Sequence, residues 1–473
     1  MRGRDPECGL SQESPRNSER GAAWVWVSGA LVVPAAVVAF ALCCTTQDAR
    51  AGKTIVTYTR WGDPSELDST RELIAQFEKE NPDIVVEPDV VSWEQYWQKI
   101  KTAVITKTAQ DVWLLDPRYV EQYAAGGYLL DLMPFIERDP TFDIDDYWPY
   151  SFDPWTLAGE GRDLHPVPFG QGKLFAFVRD YNMWLLYYNR DHFDALGMSY
   201  PDETWTWDDL VRAAQKLTLD FDGDGMIDQY GFGGLAYEQF AQVNGGLLID
   251  VDRRKSSFSC PAVVEAVTFC RDLIHKYGVH PPPGTRLGGG DSFNSGKVSM
   301  TISGVWSIRW HGQCEYLWDI APIPAARKGE RPQRRGEGVA HGIYSGTRHP
   351  EEAWRLVKFL SSDISQRELA RSGTSIPVLK RAIFVDKAMT EYRQEFLQPF
   401  DRPPQSSYHV IFDHFRNPER PVRFCRGFIE HNTYVTQMLE PVWRNARSPA
   451  EACRMIDEKT NGLLAEEYGE VKP

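Results

Sequence analysis

The sequence predicts an α/β fold divided into two lobes. The chain has 473 residues, of which 42% are hydrophobic, so it is too long for one small domain and can fill two cores. From residue 53 onward, strand patterns alternate with helix patterns, which indicates a mostly parallel sheet with helices on both faces. Prolines and glycines between residues 166 and 172 interrupt this alternation, and a new apolar strand begins at Trp184. We therefore expect the chain to cross between lobes in this stretch.

The first lobe begins with a βαβ unit. Its strands are rich in β-branched residues, and Leu73, Ile74 and Phe77 recur on one face of the intervening helix. In chain order the predicted elements are a strand over 53–59, a helix over 65–80, a strand over 84–91, a helix over 93–106 and a strand over 111–115.

The rest of the chain predicts a second lobe and a return to the first. Acidic residues favour a capped helix start within the run 201–210, and Pro350 followed by two acids favours another helix in the stretch 349–360. Further strands are expected over 184–188, 298–303 and 339–344. The predicted segments are 52–168 in the first lobe, 169–338 in the second, 339–400 as hinge return and first lobe, and 401–473 as C-terminal helices mainly in the second.

The N-terminal 51 residues predict export. Residues 22–44 contain no charged side chain, a length close to that needed to cross a bilayer core. Ala49-Arg50-Ala51 fits a signal peptidase site, so we expect a mature chain that starts at Gly52 and lies in the periplasm or another extracytoplasmic space. An uncleaved membrane anchor is the alternative, and Cys43 and Cys44 leave lipidation open.

Composition excludes several classes of function. The formal charge of −14 and the absence of basic stripes argue against nucleic acid as a partner. Downstream of residue 52 there are five cysteines and no Cys-x-x-Cys pair, which argues against a zinc site. The 16 tryptophans and 20 tyrosines suit carbohydrate recognition, because flat rings cover the apolar faces of sugars, although core packing also uses such rings.

One stretch combines a strand end with a large ring. Val298, Met300 and Ile302 alternate with polar residues, and Gly304 permits a sharp turn before Trp306. Open α/β sheets bind ligands at such strand ends. Trp306 therefore predicts a binding platform, with an ordinary core tryptophan as the alternative.

Five features together resemble family 1 extracellular solute-binding proteins, the sugar receptors of ABC importers related to the maltose-binding protein. In chain order they are Trp61-Gly62-Asp63, the Asp-Val-Trp-Leu-Leu-Asp of 111–116, the Tyr-Tyr-Asn-Arg-Asp-His-Phe of 187–193, the Thr-Trp-Asp-Asp-Leu of 206–210, and the stretch 300–306 with its later Pro-Glu-Glu-Ala-Trp helix. The resemblance implies two lobes joined by hinge strands that cross between them and close on a ligand. It also implies a non-catalytic monomer whose partners are a sugar or oligosaccharide and the subunits of an ABC permease.

A site for an uncharged sugar needs rings and planar polar groups at strand ends. Trp61 and Trp306 are the predicted rings, and Asp63, Asp116 and Arg118 follow strands of the first lobe, where carboxylate and guanidinium each hold two hydroxyls. For Asp116 a helix cap before Pro117 is the alternative. The resemblance implies three further ligand-binding residues by their position in the family: Asn182, Tyr237 and Glu238. His341 is the weakest candidate, because it lies near a hinge strand.

An aspartate-rich turn predicts a structural calcium site. Asp220, Asp222, Asp224 and Asp228 alternate with glycine in the manner of an EF-hand loop. The twelfth position is Gly231 instead of glutamate, so a bare acidic turn is the alternative.

Two other functions remain open at this stage. An exported carbohydrate-active enzyme also uses carboxylates and rings, but the sequence has no Gly-x-Ser-x-Gly and no His-Glu-x-x-His motif. A binding protein for a non-sugar solute, such as a glycerol phosphate compound or a polyamine, is the other alternative.

Overall fold

The computed structural model of the protein describes residues 52–63, 66–252, 254–285, 292–330, 336–372, 375–380, 410–411, 424, 426 and 428–468. The predicted signal or anchor over 1–51 lies outside the described residues. Within them, no helix combines the length and the apolar character that crossing a bilayer requires.

Strands of two to eight residues alternate with helices. The strands are β1 (Thr54–Trp61), β2 (Ile84–Val91), β3 (Val112–Leu115), β4 (Thr156–Ala158), β5 (His165–Pro166), β6 (Lys173–Leu174), β7 (Phe177–Val178), β8 (Trp184–Asn189), β9 (Ile249–Asp250), β10 (Lys255–Ser256), β11 (Met300–Gly304), β12 (Trp318–Ala321) and β13 (Ala340–Ile343).

Most helices begin where the sequence places a cap or a proline. Asp116 and Thr206 cap their helices through side-chain oxygens, and Pro350 occupies the first turn of another. The helices are α1 (Glu66–Glu80), α2 (Trp93–Thr106), α3 (Pro117–Ala125), α4 (Met133–Arg138), α5 (Arg190–Ala195), α6 (Trp207–Lys216), α7 (Tyr237–Val243), α8 (Pro261–His275), α9 (Ser307–His311), α10 (Pro350–Leu360), α11 (Asp363–Ser372), α12 (Phe428–Trp443) and α13 (Pro449–Tyr468).

The first sheet has the strand order β2-β1-β3-β13-β7. Strand β1 pairs in parallel with β2 and β3, whereas β13 pairs antiparallel with both β3 and β7. The second sheet, β11-β8-β12, is antiparallel throughout. The expectation of a mostly parallel sheet is therefore wrong. Parallel pairing is found for β1 with β2 and with β3, where helices connect successive strands. Strands β7 and β13 enter the sheet in directions that give antiparallel pairs.

Two separate hydrophobic cores confirm the division into lobes. The first contains Val56 and Trp113, and the second contains Leu210 and Phe240. Strand β8 supplies both cores: successive side chains point to opposite faces, so 185 and 187 lie in the first core and 186 and 188 in the second. The C-terminal helices α12 and α13 bury apolar side chains such as Ile456 in the second core.

Two segments cross side by side between the sheets. Residues 179–183 lead from β7 to β8, and residues 336–339 lead back to β13. They are joined by a backbone pair, in which the Asn182 NH donates to the Glu337 carbonyl at 2.6 Å and the reverse bond measures 2.9 Å. These crossing segments confirm the predicted hinge. The segment boundaries at 168, 338 and 400 stay predictions, although β6 and β7, which follow residue 168, pair with β4 and β13.

Candidate functional site

Asp116 and Arg118 form a fixed pair at the C-terminal end of β3. The Asp116 carboxylate accepts the Arg118 backbone NH at 3.0 Å and both the Nε and the Nη2 of the same guanidinium, at 2.6 and 2.5 Å. Burial alone lowers the pKa of Arg118, but the charge and hydrogen bonds of Asp116 outweigh it and hold that pKa above its usual range. Asp116 is therefore both a helix cap and the partner that orients Arg118.

Aromatic rings lie next to this pair. The Arg118 guanidinium carbon is 5.5 Å from the ring centroid of Trp93, which is 38% exposed. Trp61 contacts Trp93 and Trp97 with centroid separations of 5.1 and 5.5 Å, and Trp97 stacks on Tyr119 at 3.6 Å. We call Trp61, Trp93, Trp97 and Tyr119 the ring group. Trp93 is its exposed member, because the first turn of α2 holds it outside the stack.

The second lobe adds acidic and phenolic groups opposite Arg118. Tyr237 and Glu238 occupy the first turn of α7, where the tyrosine hydroxyl donates to Glu238 Oε1 at 3.1 Å. Burial raises the pKa of Glu238, while this hydrogen bond and the positive charge of Arg118 lower it in part. Arg118 therefore interacts electrostatically with a side chain of the other lobe.

Glu337 lies where the crossing segments pair, and the sequence had not indicated it as a site residue. Burial raises its pKa from 4.5 to about 7; Arg118 opposes the shift, and the negative charges of Asp116 and Glu238 add to it. Gly336 and Gly338, on either side of Glu337, let the two crossing segments pack closely, since a Cβ on Gly338 would lie 2.0 Å from the Asp180 carbonyl oxygen. The Gly-Glu-Gly pattern of 336–338 is the signal that would have indicated it.

Asn182 lies on the opposite crossing segment and completes a set of polar side chains. We call this set the polar group: Asp116, Arg118, Asn182, Tyr237, Glu238 and Glu337. Its Nδ2 donates to Asp180 Oδ1 at 3.1 Å, and its Oδ1 has no hydrogen-bond partner among the described residues. The residue is 7% exposed. A buried amide oxygen of this kind can accept a hydrogen bond from a ligand hydroxyl.

The family comparison identifies the class of protein. The family described as bacterial extracellular solute-binding protein matches residues 63–367, more than half of the chain. The chain belongs to this family.

Known proteins that resemble this solute-binding protein are distant in sequence. A Brucella abortus (strain 2308) protein named only as a binding protein is 25% identical over 327 residues, which is 66% of this chain and 72% of that protein. An ABC substrate-binding protein from Listeria monocytogenes, solved with cycloalternan, has a TM-score of 0.74 at 22% identity over 87% of this chain and 99% of its own.

The GacH receptor of Streptomyces glaucescens, solved unliganded and with acarbose, has a TM-score of 0.68 at 20% identity over 89% of this chain and 100% of its own. At these identities the two solved structures show a shared fold. They are consistent with the two-lobed architecture of this solute-binding protein.

The structure brings some predicted site residues together and leaves others apart. Asp116, Arg118, Tyr237 and Glu238 share one electrostatic environment, and Asn182 is joined to it through Glu337. Asp63 is exposed just beyond β1. Their roles in binding stay predictions.

Trp306 belongs to a second aromatic pair. Its indole is half-buried and lies edge-on to Trp184 with centroids 5.1 Å apart. The same ring folds back over Gly304, where a Cβ would lie 2.2 Å from the indole carbons. Gly304 is thus required by close packing of the ring, a different reason from the sharp turn expected from the sequence.

His341 lies away from the polar group. It is 1% exposed on β13, and its Nε2 is 3.1 Å from the hydroxyl of Tyr58 on the neighbouring part of the sheet. Burial lowers its pKa well below the usual range, and the charges of Arg179 and Arg60 lower it further. The imidazole is therefore neutral near pH 7, and the predicted role of His341 in binding stays a prediction.

The predicted calcium turn gathers three of its four aspartates. Carboxylate oxygens of Asp220, Asp222 and Asp224 lie within 4.8 Å of one another. Asp228 is outside this cluster, and its carboxylate accepts the backbone NH of Phe221 at 2.8 Å. Backbone NH groups of Gly223 and Gly225 donate to Asp220, so the turn is stabilised by its own hydrogen bonds.

Proposed function

We propose that this solute-binding protein captures a sugar or oligosaccharide between its two lobes and delivers it to the permease of an ABC importer. The observation that carries the proposal is the reach of Arg118, which is fixed on the first lobe and interacts electrostatically with Glu238 of the second lobe and Glu337 of the hinge. A ligand held by this group contacts both lobes, so binding and closure are coupled.

The chemistry of the group suits a neutral, hydroxyl-rich solute. Trp93 offers an exposed indole face, and guanidinium and carboxylate groups bind paired hydroxyls. The solved relatives include complexes with cycloalternan and with acarbose, and a maltose-binding domain from Bdellovibrio bacteriovorus was solved with maltotriose. These ligands support an oligosaccharide as the class of solute.

A polyamine or an amino sugar is the second candidate. Three carboxyl groups, Asp116, Glu238 and Glu337, interact electrostatically with one guanidinium, and a cationic ligand would favour the ionised form of the two glutamates, whose pKa is raised by burial. A glycerol phosphate compound is disfavoured at this group, because the carboxylates would repel its phosphate.

A binding screen tests the proposal. Thermal shift and calorimetry with mono- and oligosaccharides, polyamines and glycerol phosphate compounds should give saturable binding with an oligosaccharide, and small-angle scattering should show a smaller radius of gyration when it binds. Saturable binding of amines alone would overturn the sugar proposal in favour of the second candidate.

Arg118→Met tests whether the electrostatic interaction of Arg118 with Glu238 and Glu337 is needed for closure. We expect it to abolish the decrease in radius of gyration, because the positive charge that attracts the second-lobe carboxyl group of Glu238 is lost. Arg71→Met, which removes an exposed arginine paired with Asp68, is the matched control and should leave closure unchanged.

We further propose that the protein is a monomer without catalytic activity that is exported by its N-terminal segment. Family membership supports binding without turnover. Chromatography of the bound sugar after long incubation tests this, because recovery of an altered sugar would indicate an enzyme.

We also propose that Asp220, Asp222 and Asp224 bind a structural calcium ion. Calcium should then raise the melting temperature and a chelator should lower it. The Asp222→Asn variant should lose this response, whereas Asp228→Asn should keep it. A melting temperature that ignores both calcium and chelator would contradict the proposal.

A further inference from the structure

A cavity of about 60 Å³ lies beside β1 and is separate from the ring group. By the same measure a water molecule needs only about 10–15 Å³, so the cavity has room for a group of several heavy atoms. The side chains that carry its chemistry are Tyr58, Arg60, Arg179, Arg309, His341 and Glu368. We call this space the arginine cavity.

Its three guanidinium groups come from distant parts of the chain. Arg60 is near the end of β1, Arg179 follows β7, and Arg309 is on α9, which follows β11 of the second sheet. Arg60 donates to the Thr70 hydroxyl at 3.3 Å and Arg179 to Asp180 at 2.7 Å. Each guanidinium presents five N–H donors in a planar fork, a geometry that suits an acceptor with several oxygens.

His341 gives evidence for a ligand that is independent of the arginines. The residue is 1% exposed and lines the cavity, and its Nδ1 has no hydrogen-bond partner among the described residues. Its Nε2 faces the Tyr58 hydroxyl. If this hydroxyl donates, Nδ1 carries the proton and is a donor. A buried polar atom without a partner points to a ligand or an ordered water.

The charges of the cavity select the kind of ligand. Three guanidinium groups face the carboxylate of Glu368, which also lines the cavity, and that of Asp180, which pairs with Arg179. Among the side chains that line the cavity, guanidinium groups thus outnumber carboxylates. Guanidinium and imidazole N–H groups that converge on a small space match an oxyanion with several acceptor oxygens.

We propose that the arginine cavity binds one small oxyanion of the phosphate class, held by Arg60, Arg179, Arg309 and the Nδ1–H of His341. The anion connects the first sheet, which carries Arg60 and His341, with the helix that follows β11 of the second sheet. It is a site distinct from the sugar site, and its occupancy stands whether or not a sugar binds.

The direct test is calorimetric titration of the purified protein with inorganic phosphate at constant ionic strength, without sugar. We expect saturable binding of one phosphate with a dissociation constant of about 1 mM or below. Sulfate should compete and potassium chloride should not. Absence of saturable binding up to about ten times that concentration would overturn the proposal. Glycerol phosphate in a parallel titration distinguishes free phosphate from a phosphoryl group on a solute.

Matched variants locate the bound ion. Arg309→Gln should weaken phosphate binding about tenfold or more, since it removes one charge-assisted contact. Arg212→Gln, which alters an exposed arginine on α6 paired with Asp209, should bind phosphate as the native protein does. Equal affinity of Arg309→Gln and native protein would place the anion elsewhere and refute the site. Arg60→Gln serves if Arg309→Gln does not fold. Failure of phosphate binding leaves the sugar screen unaffected, so the two proposals fail separately.

Discussion

Arg60 and Trp61 are consecutive residues of β1, yet they belong to different surroundings. Trp61 packs within the ring group, whereas Arg60 lines the arginine cavity. Adjacent strand residues point to opposite faces, so one strand end contributes to two sites of opposite character. The ring group is built from residues within one stretch of the first lobe, and the arginine cavity from residues as far apart in the chain as Tyr58 and Glu368. Local sequence therefore indicated Trp61 of the first site and only His341 of the second.

The largest expected effect separates two rings of the ring group. Trp97→Ala should lower the free energy of unfolding by about 2–3 kcal/mol, because Trp97 stacks on Tyr119 and contacts Trp61. Trp93→Ala should change stability by less than about 1 kcal/mol, because that ring is 38% exposed, but should weaken sugar binding. Urea unfolding and calorimetry measure the two quantities. Equal stability losses would mean that Trp93 is a packing residue only.

The second prediction concerns the ion pair beside the rings. Arg118→Met should cost about 2 kcal/mol of stability, since it leaves the buried Asp116 carboxylate without its guanidinium partner. The control Arg71→Met should cost less than about 1 kcal/mol, because its ion pair with Asp68 is exposed. Chemical denaturation of both variants checks this. A similar cost for both would show that burial of Asp116 does not matter.

The third prediction addresses the cavity. His341→Phe keeps a ring but removes both the partnerless Nδ1 and the Nε2 that bonds to the Tyr58 hydroxyl, so we expect a stability loss of about 1.5 kcal/mol. Phosphate should no longer raise the melting temperature of this variant, although it should raise that of the native protein. A retained phosphate response would remove His341 from the anion site.

The fourth prediction is a pH dependence of stability at the hinge. Because the folded state raises the pKa of Glu337 from 4.5 to about 7, this residue stabilises the fold below about pH 4.5 and loses that contribution as the pH rises to about 7. Glu337→Gln does not titrate, so its stability relative to the native protein should increase across this window and stay level above it. Denaturation at about pH 4.5, 6, 7 and 8 measures the difference. A constant difference would contradict the raised pKa.

Helix starts and the first strands were predictable because their signals are local. The helix over 93–106 was predicted with the bounds that the structure has, and the pattern over 111–115 indicated the strand that follows. The cap at Asp116 was one of two predicted interpretations and is confirmed by its bonds to Arg118. Strand direction was not predictable in the same way. Strands β7 and β13 are short, and their antiparallel pairing depends on where the crossing segments enter the sheet.

The sequence by itself determined the two-lobed α/β fold and the family, and it indicated the helix cap at Asp116 as one of two interpretations. These depend on periodicity, caps and motifs that lie within a few residues of one another. Only the tertiary structure decided that Glu337 joins Arg118 and Glu238, and that Arg60, Arg179, Arg309 and His341 share a cavity. Residues so far apart in the chain meet only when the crossing segments pair, and the pKa of a carboxylate depends on burial and on the charges around it.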